Sequence, residues 1–343
     1  MRQSRIGEFE LIRRLRSATR IPHAVRSAIL AGIGDDAAAL KTRPGLVLLA
    51  TTDLLAERVH FDLACTTYRQ LGYKAAMANL SDIAAMGGIP RFVLIALALT
   101  PRQSRRDVEA LYTGVQAACR EAEAAVVGGD TSASRTDLFI SLVVLGEAAP
   151  AEVLRRSTAR AGDRLYVTGT LGDAQAGLEI LLAQKESRQG RGTNARGAAY
   201  LIGRHLRPTA RLREARRLAE GRLASAAIDL SDGLAGDVRH ICEESKVGCL
   251  IDARQLPLSS PLLAHARAGR RDPIKYALGG GEDYELLFTV PPAKVPHVER
   301  LIRRRLLRAT PIGSITPARR GLRIIGADGS VRPLTAKGYE HRV

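Results

Sequence analysis

Strand-like apolar runs alternate with helix-length stretches twice along this chain. The first block runs from "GLVLLATTD" through a helical stretch at 66–86, "RFVLIALALT", a helix at 104–123, "AAVVGGD" and "LFISLVVLGEA". The second runs from "DRLYVTG" and "GDAQAGLEILLAQ" through a helix at 209–220, "SAAIDL", "YELLFTV", a helix at 293–305 and "TPIGSIT". Such alternation argues for α/β to α+β architecture in each block. A length of 343 residues also exceeds what one core usually serves. Two domains are therefore expected, 1–153 and 154–343. Ser104, with Asp107 three residues on, is the expected cap of the 104–123 helix. "AAVVGGD" reads as a short strand ending in a glycine turn, and "KESRQGRGTNARG", residues 185–197, as an exposed loop, its part over 187–197 with no assigned role. Residues 5–17 read as a first helix.

Composition narrows the function classes. No apolar run reaches the ~18 residues needed to span a bilayer. The start, "MRQSRIGEFELIRRLR", has no apolar core of the kind a secretory signal carries, so a cytoplasmic protein with no membrane partner is expected. The four cysteines form no CxxC pair and fit free thiols in a reducing compartment. The net charge of +17, mostly arginine, favours anionic ligands. The chain lacks tryptophan and is poor in aromatic residues, which argues against nucleic acid as a partner.

Against that positive charge, carboxylates recur after apolar runs or beside glycines. They are Asp35 and Asp36 in "GIGDDAA", Asp53, Asp82 in "NLSD", Asp130 in "VVGGDTS", Asp229 and Asp232 in "AIDLSDGL", and Glu282 and Asp283 in "GGEDYE". Gathered at the ends of strands, they repel one another and hold protons unless cations intervene. Mg²⁺ suits such a set, because it takes hard oxygen ligands and keeps positions for water and phosphate oxygens. Each residue also has a structural reading. Asp232 is placed to cap the following helix, and Asp36 to sit in a turn. Asp82 is harder to explain that way, because Asp is a poor residue inside a helix. There is no GxxxxGK[ST] loop and no HRD or DFG pattern. "GIGDDA" matches the looser GxGxx[GA] pattern, but two aspartates oppose a pyrophosphate there, and no strand-like run precedes Gly32.

The segments "GIGDDAA", "TTDLLAERVHF", "YKAAMANLSDIAAMGGIP", "VVGGDTS", "YVTGTLGDAQAGL", "RHLRP", "AIDLSDGL" and "GGEDYELLFTV" together resemble, in order and spacing, the bacterial thiamine-monophosphate kinase family. The resemblance covers roughly residues 6–340. It implies a two-domain aminoimidazole ribonucleotide synthetase-like architecture. The N-terminal domains would pair across a homodimer into a mixed barrel, and the C-terminal domain would complete the ATP and substrate site. It implies transfer of the ATP γ-phosphoryl group to thiamine monophosphate, with several Mg²⁺ ions as cofactors and no protein nucleophile or base. It assigns Asp36, Thr51, Thr52, Asp53, Asp82, Asp130, Asp229 and Asp232 to metal. Tyr112, Gly129, Asp130, Arg156 and Ser231 go to ATP, and His60, Glu282 and Tyr339 to the thiamine phosphate.

The implied chemistry suits the residues. A phosphate oxygen is already an anionic nucleophile, so neutralisation and positioning are what the site must supply. The chain departs from the family at Thr51, where serine is more usual, and at Arg58, where glycine is usual and an arginine would alter the substrate entrance. It also lacks a tryptophan near its end, in "AKGYEH", which leaves the stacking partner of thiamine unassigned. The competing readings are another ATP-dependent enzyme of this superfamily, such as aminoimidazole ribonucleotide synthetase, and a non-catalytic nucleotide- or RNA-binding protein.

Overall fold

A four-stranded sheet frames the first half of the chain. In the computed structural model, residues 14, 17–31, 39–186, 195–336 and 338–339 are described. They divide into two units, Met1–Ile83 with Gly88–Ala151, and Ala84–Gly87 with Glu152–Val343.

In the first unit a two-stranded ribbon, β1 (Ile29–Ala31) and β2 (Ala39–Leu40), precedes the main sheet. β3 (Val47–Ala56), β4 (Ile89–Leu99), β5 (Ala125–Ala133) and β6 (Phe139–Ala148) stand in the order β3-β6-β4-β5. β6 is antiparallel to both neighbours, and β4 is parallel to β5. Parallel neighbours need a crossover, which α2 (Arg105–Glu121) supplies. Ser104 caps that helix in a full capping box with Asp107. A second helix, α1 (Tyr68–Ala85), is rich in alanine and buries Ala75, Ala76, Leu80 and Ile83. Alternation along β6 buries Ile140, Leu142 and Val144 completely, as a one-faced core strand requires.

The second unit is built on a seven-stranded sheet. Its strands are β7 (Arg164–Thr168), β8 (Ala226–Asp229), β9 (Val247–Asp252), β10 (Leu286–Val290), β11 (Ala309–Pro317), β12 (Leu322–Ile325) and β13 (Val331–Pro333). The order is β13-β12-β9-β11-β7-β10-β8, antiparallel throughout except β9 with β12. Helices α3 (Asp173–Glu186), α4 (Ala195–Leu206), α5 (Leu212–Glu220), α6 (Leu234–Ser245), α7 (Ser260–Ala268), α8 (Pro273–Gly279) and α9 (Val295–Arg303) surround it. Both faces are covered. Leu165, Val167, Ile228 and Leu287 pack with Val238 and Ile241 of α6. Tyr166, Ala227 and Phe288 pack with Leu218 of α5 and Val298 of α9. Tyr166 and Phe288 stack with centroids 5.5 Å apart. Burial on both faces is why β10 carries apolar residues at consecutive positions, Leu286, Leu287 and Phe288, rather than in alternation.

Four expectations need correction. β3 runs three residues past Asp53, because its ladder with β6 continues to Ala56 opposite Phe139. β5 runs through its glycines to Ala133 instead of turning there, because the ladder to β4 continues to Leu99. A strand, β1, does precede Gly32, too short to show as a run. The loop expected over 187–197 gives way to α4 from Ala195, while 187–194 lie outside the described residues. The helix expected at 5–17 also falls mostly outside them, with residues 14 and 17 helical.

Candidate active site

The first unit gathers its chemistry between β3 and α1. Side chains alternate along a strand, so Thr51 and Asp53 share one face and Thr52 takes the other. The Thr51 hydroxyl donates to Asp82 Oδ2 at 2.5 Å, and the Asp53 amide donates to Asn79 Oδ1 at 3.1 Å. Asn79 and Asp82 are three residues apart on α1, hence on one face of the helix. Burial, reinforced by the charge of Asp82, pushes the Asp53 carboxyl up to about 6. Thr52 is exposed on the opposite face.

Asp130 stands elsewhere in this unit. It pairs with Ala96, in a register row that continues through Ser141 to Leu54. That places it across three strand spacings from β3, about 14 Å at ~4.8 Å each. Gly129 lies against β4 so closely that a Cβ there would sit 1.9 Å from the Ile95 carbonyl oxygen. His60 accepts the Ala56 amide on Nδ1 at 3.0 Å. An acceptor at Nδ1 puts the ring proton on Nε2, which makes that nitrogen the donor to a ligand. Tyr112 is buried on α2, and burial raises its phenol above the usual range. Arg58 adopts a φ of 68° and turns its guanidinium to Asp137 Oδ2 at 2.6 Å. That φ is one glycine adopts freely, and in Arg58 the ion pair holds only the side chain. Asp36 lies outside the described residues.

The second unit gathers its carboxylates at the corner between β8 and α6. Asp229 ends the strand and is 2% exposed. Asp232 does not cap the helix: the N-cap is Gly233, with no side-chain cap bond. The bond runs the other way. Asp237, in the first turn of α6, accepts the Asp232 amide at 3.2 Å. Burial, then Asp229 and Asp232, push the Asp237 carboxyl up to about 8. Sequence reading passed over Asp237, although an Asp among buried residues of a helical stretch is the same signal that singled out Asp82.

Three backbone connections tie other candidates to this corner. The Glu282 amide donates to the Ser231 carbonyl at 2.8 Å, the Tyr284 amide to the Leu230 carbonyl at 2.9 Å, and the Tyr339 amide to the Asp232 carbonyl at 2.9 Å. Tyr339 reaches it because Gly338 packs on Gly236. A Cβ on Gly338 would lie 2.8 Å from the Gly236 Cα. Ser231, Asp232, Glu282 and Tyr339 therefore share one locus, and the Tyr339 side chain is 53% exposed there. Arg156 does not join them. Its carbonyl accepts from the Ser245 hydroxyl at 2.7 Å, at the far end of a twelve-residue helix. That separates its backbone from the corner by about 18 Å.

The "GGGEDYE" loop sorts its acids by residue. Glu282 keeps a partly exposed side chain. Asp283 is buried and accepts the Gly172 and Ala174 amides at the start of α3, at 2.6 and 3.2 Å. Burial still pushes its carboxyl up to about 7. Glu285, wholly buried, is held by Arg204 at 2.8 Å, by Arg211 and by the Thr168 hydroxyl at 2.6 Å. Among the described residues no three His, Cys, Asp or Glu side chains stand together as a ready-made metal cage. What exists is a partly buried set of oxygen donors in the first unit, with the Asp53 carboxyl raised, and in the second Asp229 and Asp232 beside the raised Asp237, which is chemistry a hard divalent cation fits.

Comparison with known proteins agrees in both units. The AIR synthase related protein family matches residues 34–148 through its N-terminal domain and 160–325 through its C-terminal domain. The thiamine-monophosphate kinase of Salmonella typhimurium is 38% identical over 335 residues, 98% of either chain. The crystal structure of thiamine-monophosphate kinase from Stenotrophomonas maltophilia K279a is similar with a TM-score of 0.80, 37% identity, and coverage of 95% of this chain and 98% of that one. AaThiL complexed with AMPPCP and TMP is similar over 100% of both chains, with a TM-score of 0.75 and 36% identity. With both domains of the AIR synthase-related fold present and relatives matched along nearly its whole length, the chain belongs to the thiamine-monophosphate kinase family.

Proposed function

We propose that this chain phosphorylates thiamine monophosphate to thiamine diphosphate at the expense of ATP. The observation that carries the reading is the full-length likeness to thiamine-monophosphate kinases, one of them complexed with AMPPCP and TMP. The acceptor phosphate is the attacking nucleophile, so transfer is direct and in line, with no phosphoenzyme. Thr51, Asp53 and Asp82 in the first unit, and Asp229 and Asp232 in the second, would hold Mg²⁺, with Asp36, Asp130 and the Thr52 carbonyl completing the set. When bound, Mg²⁺ neutralises phosphate charge that otherwise opposes attack of one anion on another. Asn79 and Asp237 orient two of these segments by taking the Asp53 and Asp232 amides. His60 presents Nε2–H to the substrate phosphate, and Glu282 and Tyr339 receive the cationic thiamine. Gly129, Ser231, Tyr112 and Arg156 are assigned to ATP.

The same reading gives the first domain, 1–153, the dimer contact. β3 is an edge strand whose outward row exposes Leu48 and Leu54, at 56% and 58%. Exposed apolar residues on a sheet edge invite pairing, and a second copy of this chain is the proposed occupant. We place the enzyme in the cytoplasm, where Cys65, Cys119, Cys242 and Cys249 stay reduced.

Purified protein with Mg-ATP and thiamine monophosphate is expected to yield thiamine diphosphate and ADP in equal amounts by mass spectrometry. No product, with turnover of formylglycinamidine ribonucleotide instead, would sink the reading in favour of aminoimidazole ribonucleotide synthetase.

A further inference from the structure

The "RHLRP" segment ends α4 and has no role in the assignments above, yet it touches the acidic loop at alternate positions. Arg204 reaches the Glu285 carboxylate at 2.8 Å and the Asp283 carbonyl at 3.4 Å. The next residue, His205, is 7% exposed and sets its Nδ1 3.3 Å from Glu282 Oε2. The loop itself is strained. Glu282 and Tyr284 have φ values of 67° and 50°, in the left-handed region that ordinary residues avoid. Such a conformation persists only where the surroundings over-determine it. Here the clamps are the backbone bonds to Leu230 and Ser231, the Asp283 bonds to α3, and the two arginines on Glu285. The clamps on the backbone at 282 do not by themselves set the three torsions of the Glu282 side chain. That side chain is 30% exposed, so without a partner it would sample several rotamers. His205 sets a buried ring nitrogen 3.3 Å from one carboxylate oxygen, within ion-pair reach though not aligned as a hydrogen bond, and so restricts that freedom.

We propose that His205 is a positioning residue for acceptor recognition: its Nδ1 orients the Glu282 carboxylate toward the cationic or amino-bearing part of the acceptor. The proposal rests on the reading of Glu282 as a substrate-binding residue of a thiamine-monophosphate kinase. It predicts a selective defect. His205→Ala should raise the KM for thiamine monophosphate about ten-fold, with kcat and the KM for ATP changed less than about two-fold. His205→Asn, whose amide nitrogen occupies the reach of Nδ1, should recover most of the loss. His205→Gln, which reaches instead to the position of Nε2, should not.

Kinetics of the four proteins, with thermal melting of each, make the test. Calorimetric binding of thiamine monophosphate gives the same contrast without turnover. Unchanged acceptor KM in a folded His205→Ala protein overturns the proposal. So does a parallel loss of kcat and both KM values that Gln repairs as well as Asn, which is the mark of packing alone. Wild-type protein that neither binds nor converts thiamine monophosphate overturns the kinase reading, and this proposal with it. Normal wild-type kinetics with an unaffected His205→Ala protein overturns only the role of His205.

Discussion

Thr51 on β3 and Asp82 on α1 are joined by a 2.5 Å hydrogen bond between side chains of two different elements. The bond fixes one Asp82 oxygen beside Asp53, where the proposed cation would sit. Asp82→Asn keeps the bond to Thr51 but halves the charge of the Asp53–Asp82 pair. Turnover should fall by about 10³-fold, because charge neutralisation dominates phosphoryl transfer. The melting temperature should hold or rise, since a like charge is removed. Steady-state kinetics and calorimetry check it, and near-normal kcat would remove the metal assignment of Asp82.

The Asp53 carboxyl, pushed up to about 6, makes cation binding pH-dependent. Below that value a metal must displace a proton, and above it the carboxylate is already free. The Mg²⁺ concentration for half-maximal activity should therefore rise by up to about ten-fold per pH unit below about 6, and flatten above about 7. Asp53→Asn should abolish that slope along with most activity.

Asp283 gives a stability prediction of definite sign. Its folded value of about 7 lies above the ordinary 3.8 of an aspartate, so the folded state binds the extra proton. Its stabilising contribution is complete below the unfolded value and is lost as pH rises through about 7. Urea unfolding of the wild type should show stability falling between pH 5 and 8. In Asp283→Asn that fall should shrink by about 2–4 kcal/mol. The Asn protein also loses one of two acceptors at the start of α3, which should lower its stability at pH 5 by about 1 kcal/mol.

Gly338 places Tyr339 by close approach to Gly236. Gly338→Ala should push the tail off α6 and break the bond from the Tyr339 amide to Asp232. The KM for thiamine monophosphate should rise about five-fold with kcat nearly unchanged, because the loss is in binding and not in the reacting centre. An unchanged KM would remove Tyr339 from the substrate site.

The carboxylates were legible because each interrupts an apolar run or a helix, where a charge needs a reason. The capping box at Ser104 was legible because it is local. Positions that depend on partners distant in sequence were not. Asp232 reads as a cap until Asp237 is seen to take its amide. Glu282, Asp283 and Glu285 look alike on paper, and only their partners, near His205, Gly172 and Arg211, separate them. Strand β9 escaped because its partners, β11 and β12, lie far along the chain, and β12, β13, α7 and α8 because each is short.

The alternation within "GGGEDYE" bears on evolvability. Two of its three acids are committed to the scaffold, one to α3 and one to a pair of arginines, so neither can drift without loosening the loop. In the proposed assignment Glu282 alone answers to the ligand, while the bonds of its neighbours hold the backbone. A lineage adopting a different acceptor could exchange position 282, with 205 as its covarying partner, and leave the rest of the loop as it is.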